Sequence, residues 1–270
     1  RLLHHAIYRI LYPYFDRKFI GDSYSCRINK GTHKAIERFK SLAGKASQNH
    51  AKTLWVLKCD ARKFFASIDQ EILLDILNKY IPDKDIIWLV GQVVNSFYST
   101  EAGKGLPLGN LTSQLLVNIY MNKLDQFVKH KLKVKYYIRY ADDFVIFSTD
   151  ENWLKSILLK MQEFLDEQLK LQLHPDKVFI TTLASGVDFL GWVHWSDHRI
   201  LRRATRRRMV RNLKEKEGKP ETVQSYLGML KHGNAYKISR FIGVHCLKTP
   251  SARRGDEKQA VCFEWSEDHS

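Results

Sequence analysis

Apolar side chains at Leu2, Leu3, Ala6, Ile7, Ile10 and Leu11 fall on one face of a helix, and Pro13 is expected to end it. A loop marked by Gly21, Asn29 and Gly31 follows, helical spacing resumes over residues 32–42, and the small, polar stretch 43–53 reads as a surface loop. The run Leu54-Trp55-Val56-Leu57 has the character of a short strand and delivers Asp60. Two amphipathic helices are predicted next, at 70–80 and 84–97, separated by Pro82. After a glycine-punctuated loop from Gly103 to Gly109, Asn110 is placed to cap a long helix. Its predicted buried face holds Leu111, Leu115, Leu116, Ile119, Leu124, Phe127 and Val128.

Two strands, 136–140 and 143–148, then flank the tight turn Ala141-Asp142. Leu154, Ile157, Leu158, Met161, Phe164, Leu165 and Leu169 mark another amphipathic helix, and 178–182 and 187–193 supply further strand material. The order β, α, α, α, β, β, α, β, with two helices set aside as an insertion, is the split β-α-β topology of a ferredoxin-like sheet. Helices are expected on one face, and the other face is expected to be free for a nucleic-acid groove. Residues 199–219 hold ten basic and two acidic residues, and helical patterning resumes over 222–236, so a separate helical subdomain is predicted. From Lys248 onward the chain is polar, with Pro250 and Gly255, and reads as a loose tail.

At 270 residues the chain is long enough for one large domain or two to three subdomains around a shared core. A hydrophobic share of 44% and an aromatic share of 12% argue against disorder as the default. The formal net charge of +15 changes the picture more, because such an excess is most simply neutralised by a polyanion, and nucleic acid becomes the leading partner. No apolar run approaches the roughly 18 residues needed to span a bilayer, and residues 1–18 lack a secretory cleavage site. Cys26, Cys59, Cys246 and Cys262 match neither a zinc pair nor a compact disulfide framework. A protein without a membrane partner, with reduced thiols and a cytoplasmic location, is therefore expected. The absence of an initiator Met leads us to expect a trimmed piece of a longer chain.

The candidate chemistry is carboxylate chemistry. Asp142 and Asp143 sit at the turn of an otherwise apolar hairpin, where their charges repel unless a cation neutralises them. In a split β-α-β sheet the first strand lies beside this hairpin, so Asp60 should converge on the pair. Such a cluster can hold two Mg²⁺ ions about 3.5 to 4 Å apart, the equipment of phosphoryl transfer.

Four ordered stretches now carry a resemblance: Lys58-Cys59-Asp60-Ala61-Arg62-Lys63-Phe64-Phe65, Leu108-Gly109-Asn110-Leu111-Thr112-Ser113-Gln114, Tyr140-Ala141-Asp142-Asp143 and Phe189-Leu190-Gly191. The chain resembles the reverse transcriptases from Arg1 to about Ile242. The resemblance implies an α+β right-hand polymerase: fingers at 1–53, N-terminally incomplete, a ferredoxin-like palm at 54–198 with inserted fingers helices at about 70–108, a helical thumb at 199–247, and a polar tail at 248–270. It implies an RNA-directed DNA polymerase using two Mg²⁺ ions, with Mn²⁺ a possible substitute. Asp60 and Asp142 become the main metal ligands, and Asp143 a supporting one.

By the same resemblance Phe65 is the gate against a ribose 2′-hydroxyl, with Phe64 in the core and Ala61 beside the nucleotide. Arg27 and Lys30 reach the triphosphate, and Leu108, Gly109, Ser113, Gln114 and Lys177 line the nucleotide site. Phe189, Leu190 and Gly191 form the primer grip. Arg202, Arg203, Arg206, Arg207, Arg208 and Arg211 grip the phosphates of a template RNA paired with its cDNA or RNA primer.

Many relatives have Gln and Pro where Leu108 and Gln114 stand here, a departure typical of diversity-generating retroelements. The stretches His4-His5-Ala6, Asp22-Ser23-Tyr24, Lys30-Gly31-Thr32-His33, Ser225-Tyr226-Leu227-Gly228 and Lys231-His232-Gly233-Asn234 resemble the same group. Membership implies errors opposite adenine, a small basic accessory protein, and a bacterial, phage or prophage setting. The rivals are a group II intron or phage-defence reverse transcriptase, and a catalytically idle RNA-binding protein on the same scaffold.

Overall fold

The computed structural model describes residues 2–246 except 98, 100 and 108. Leu108 of the expected nucleotide loop, Leu247 at the end of the expected thumb and the tail at 248–270 lie outside the described residues. The chain divides into two compact units, Arg1–Arg199 and Ile200–Ser270. Among the described residues no helix is long and apolar enough to cross a membrane.

Helix α1 (Leu2–Asp16) runs through Pro13 instead of ending there. Pro13 removes one hydrogen bond of the last turn, but Tyr12 and Phe15 are buried and the Tyr12 hydroxyl donates to Asp16 at 2.9 Å, so burial of that turn outweighs the loss. Helix α2 (Thr32–Ala46) also outlasts its predicted end, because Ala43 and Ala46 are buried.

Strand β1 (Trp55–Asp60) leads into a short helix α3 (Phe64–Ser67), then α4 (Gln70–Asn78) and α5 (Lys84–Asn95). The last two are each capped by an aspartate: Asp69 accepts from the Ile72 amide and Asp83 from those of Asp85 and Ile86. Helix α6 (Leu111–Gln126) starts after Asn110, whose side chain makes no capping bond, and continues into a π-helical turn at Phe127–Lys131. Twelve of its sixteen residues are buried, so it threads the interior instead of presenting the single face that its sequence pattern suggested.

Strands β2 (Tyr137–Tyr140) and β3 (Asp143–Ser148), helix α7 (Glu151–Leu169) and strand β4 (Phe179–Thr182) complete a four-stranded sheet in the order β2-β3-β1-β4, each neighbouring pair antiparallel. This is the predicted split β-α-β arrangement. Alternation along the strands sends Leu57, Cys59, Phe144 and Ile146 into the core shared with α6 and α7. Val56, Ile138, Val145 and Phe147 point the other way, and that face is not free as expected. Phe39 and Leu42 of α2, with Val187 and Phe189, cover it in a second apolar cluster. A solvated sheet face would need polar residues at those positions.

The stretch 187–193, read as strand material, belongs to a hairpin of β5 (Val187–Phe189) and β6 (Trp192–His194). Leu190 and Gly191 form its two-residue turn with φ of 53° and 83°, and positive φ at both positions suits the twist of the paired strands. Strand β7 (Arg199–Leu201) carries the chain across the limit between units. The second unit holds α8 (Arg203–Glu215), α9 (Pro220–Leu230) and α10 (Tyr236–Cys246). Thr205, Met209 and Leu213 make the buried stripe of α8, at i, i+4 and i+8, and its arginines lie outside it.

Candidate active site

The register of β1 against β3 sets Asp60 directly opposite Asp143. Asp142 precedes Asp143 in the two-residue connection from β2, where Ala141 adopts φ 56°. A 3₁₀ turn at Pro175–Lys177 closes the other side of Asp60. The His174 amide donates to the Asp60 carbonyl at 2.8 Å, and Lys177 Nζ lies 3.2 Å from Asp60 Oδ1. Lys58, two residues earlier on the same face of β1, places Nζ 3.4 Å from Asp143 Oδ2.

The backbone thus brings the three aspartates together as expected. Their side chains stop short of a ligand cluster: among the described residues no three His, Cys, Asp or Glu groups converge at metal-binding spacing. Asp60 and Asp143 each face a lysine instead. Burial raises the Asp143 carboxyl to about 7, with Asp60 and Asp142 adding to the rise and Lys58 opposing it. Burial and the Asp60 charge raise Asp142 as well, while Lys177 and Arg139 act against the rise. Asp143 Oδ1 is buried without a hydrogen-bond partner. A buried acceptor of this kind beside two further carboxylates suits a hard, oxygen-seeking cation.

Phe64 and Phe65 differ in burial. Phe64 is buried, whereas Phe65 is only partly covered and meets Phe64 edge to face. Ala61 is buried, in an isolated bridge to Leu173. The glycine-rich loop is tied to this corner: the Leu106 amide donates to the Phe65 carbonyl at 2.9 Å and the Gly105 amide to that of Ile68 at 2.8 Å. Gln70, which drew no attention in the sequence, is buried and donates to the carbonyls of Val94, Phe97 and Gly105, so one amide closes the loop. Gly109 has φ 86° and open space at its Cβ position. Ser113 is buried in the first turn of α6, and Gln114 is partly covered.

Of the two basic candidates in the early loop, Arg27 is committed to structure. Its guanidinium bonds Asp16 Oδ1 at 2.7 Å and the carbonyls of Asp16, Ile20 and Ser23, which staples the loop. Lys30 reaches the Gly21 carbonyl at 2.6 Å and remains partly exposed. In the hairpin, Phe189 is fully buried and stacks on Phe39, while Leu190 and Gly191 at the turn are partly exposed. In the second unit, Arg202, Arg203, Arg207, Arg208 and Arg211 are exposed and Arg206 is half-buried. Arg203, Arg207, Arg208 and Arg211 line a shallow concavity on α8.

Residues 1–194 match the family described as reverse transcriptase (RNA-dependent DNA polymerase). The chain belongs to the reverse transcriptase family. It is 24% identical over 243 residues to protein YkfC of Escherichia coli, across 76% of this chain and 62% of YkfC. It is also 24% identical over 278 residues to the group II intron-encoded protein LtrA of Lactococcus lactis, across 77% of this chain and 44% of LtrA. The chain therefore spans less than two thirds of either relative. Among solved structures, apo telomerase of Candida tropicalis, truncated of its C-terminal domain, shares the fold at a TM-score of 0.57 and 11% identity, over 73% of this chain and 44% of the telomerase. The reverse transcriptase fold is thus the right-hand polymerase architecture predicted above.

Proposed function

We propose that this reverse transcriptase is an active RNA-directed DNA polymerase whose Asp60 and Asp142, supported by Asp143, hold two Mg²⁺ ions. The observation that carries the reading is the pairing of Asp60 with Asp143 across β1 and β3, beside a buried carboxylate oxygen that no protein donor satisfies. Bound there, such ions would activate the attacking primer hydroxyl and stabilise the leaving oxygen of a deoxynucleoside triphosphate. The chain's own groups do the rest. Phe65 limits space at the sugar, Lys30 and Lys177 offer positive charge for phosphates, and the Gly105–Ser113 loop and helix start approach the nucleotide through backbone. The turn at Phe189, Leu190 and Gly191 meets the primer, and the α8 arginines contact the template–primer backbone.

Primer extension on an RNA template with Mg²⁺ and all four deoxynucleotides tests this. Wild type should extend and Asp142→Ala should not; wild-type extension that persists in Asp142→Ala would refute the metal assignment.

The diversity-generating type is supported by Leu108 and Gln114 in the central motif. In that reading a Leu in place of an amide leaves the nascent pair less constrained, giving errors opposite adenine, and a small basic protein assists. The similarity to LtrA favours a second reading, an intron-type enzyme. Sequencing the extension products separates them: misincorporation concentrated opposite template adenine, reduced in Leu108→Gln, is expected for the first and absent in the second.

A further inference from the structure

Arg139 has no exposed surface, yet it is the largest of the fully buried side chains and carries a charge. Its fork binds Asp125 through Nε to Oδ1 at 2.8 Å and Nη2 to Oδ2 at 2.6 Å, a bidentate pair with both partners wholly buried. A bidentate carboxylate would be enough to neutralise it. The fork goes on to make three further bonds: Nη1 to the Ala141 carbonyl at 2.9 Å, Nη1 to Asn118 Oδ1 at 3.3 Å, and Nη2 to Ser23 Oγ at 3.1 Å. The Tyr137 hydroxyl donates to Asp125 Oδ1 at 2.8 Å and fixes the carboxylate's second edge.

These partners belong to different parts of the site. Ala141 is the residue before Asp142, and it holds a left-handed conformation that costs an L-residue because Cβ crowds the backbone. Ser23 belongs to the loop that continues to Lys30. The Arg139 main chain grips that loop too: its amide donates to the Asp22 carbonyl at 2.9 Å and its carbonyl accepts from the Tyr24 amide at 3.0 Å. Asn118, on α6, donates in turn to the Ser25 carbonyl at 2.9 Å.

We infer that Arg139 is a positioning residue for nucleotide transfer: it holds the strained Ala141-Asp142 turn and the Ser23-to-Lys30 loop at one mutual distance, with Asp125 as its buried counter-charge. Only a planar guanidinium with five donors serves both edges of this arrangement at once. A lysine would keep the charge against Asp125 and lose the geometry.

The inference rests on the polymerase reading for its kinetic test, so extension by wild type and its loss in Asp142→Ala are checked first. Arg139→Lys should fold, bind an RNA–DNA hybrid within about twofold of wild type, and lose at least about tenfold in kcat. Ser23→Ala should leave kcat near wild type and raise the deoxynucleotide KM several-fold. Leu165→Ala, a core truncation in α7 distant in sequence from the turn, serves as a stability control and should keep both constants at an assay temperature well below its Tm. Wild-type kcat in folded Arg139→Lys, or an equal loss in Leu165→Ala, would overturn the inference. Should Arg139→Lys not fold, wild-type KM in Ser23→Ala overturns it alone. If wild type does not extend primers, hydrogen exchange at the Asp142 and Asp143 amides decides: at least about tenfold faster exchange in Arg139→Lys than in Leu165→Ala is expected, and equal exchange refutes the clamp.

Discussion

His194 offers a quantitative test of how the second apolar cluster is built. Its ring is buried, sits 4.4 Å from the Phe39 ring centre, and shares a 3.2 Å hydrogen bond with the Phe189 carbonyl. Burial lowers its pKa to about 4, and the nearby Arg199 acts in the same direction. The unfolded chain protonates His194 near pH 6.5, whereas the native protein resists until about pH 4. Between these values the unfolded state binds more protons, so this residue's contribution to stability is full above pH 6.5 and falls as the pH drops toward 4. One pKa unit is worth about 1.4 kcal/mol, which gives a total near ~3 kcal/mol and about 2 kcal/mol between roughly pH 7.5 and pH 5. Asp143, raised to about 7, acts with the opposite sign over much of the same window: it stays protonated in the native state, and its contribution is lost as pH rises. The raw pH profile therefore mixes the two. The quantity to measure is the difference between wild type and His194→Gln in urea unfolding at about pH 7.5 and about pH 5. The wild type should lose about 2 kcal/mol more than the variant. A difference that stays constant within about 0.5 kcal/mol would refute the buried, neutral imidazole.

Three further outcomes follow from the geometry. Gly186→Ala should destabilise the protein by at least about 2 kcal/mol in chemical denaturation, because Gly186 has φ 84° and an added Cβ would sit 2.8 Å from the Trp195 ring. Gln70→Leu strips the shared donor from the Val94, Phe97 and Gly105 carbonyls and should cost roughly 2–4 kcal/mol, read as a lower Tm, with a raised deoxynucleotide KM as the loop loosens. Arg208→Gln and Arg211→Gln should weaken hybrid binding alike for all sequences and each lower the salt slope of log K by about 0.9, measured by fluorescence anisotropy across a salt series; an unchanged slope would remove these residues from the phosphate contacts.

The sequence by itself determined the order of elements, the split β-α-β sheet and the corner where the aspartates meet. These rest on local regularities: short apolar runs in β1 and β3, a period near 3.6 in α7, and a hairpin with adjacent aspartates at its turn. Motif order carried the family resemblance, because four short stretches in a fixed order are legible without knowing how the chain folds. Tertiary structure alone decided how each side chain is used. Pro13 stays inside α1 because its neighbours are buried, a long-range effect that outweighs a local rule. The second sheet face is covered because α2 and the β5–β6 hairpin return to it from distant positions, and the strand pattern cannot say which element will do so. Arg27 and Arg139 illustrate the same limit. Both are basic residues near motif positions, and only the folded chain shows that one staples a loop to Asp16 while the other lies with Asp125 beneath the Ala141-Asp142 turn. A charge in the sequence has a sign, but its partner is chosen by the fold, since burying a charge without one is prohibitively costly.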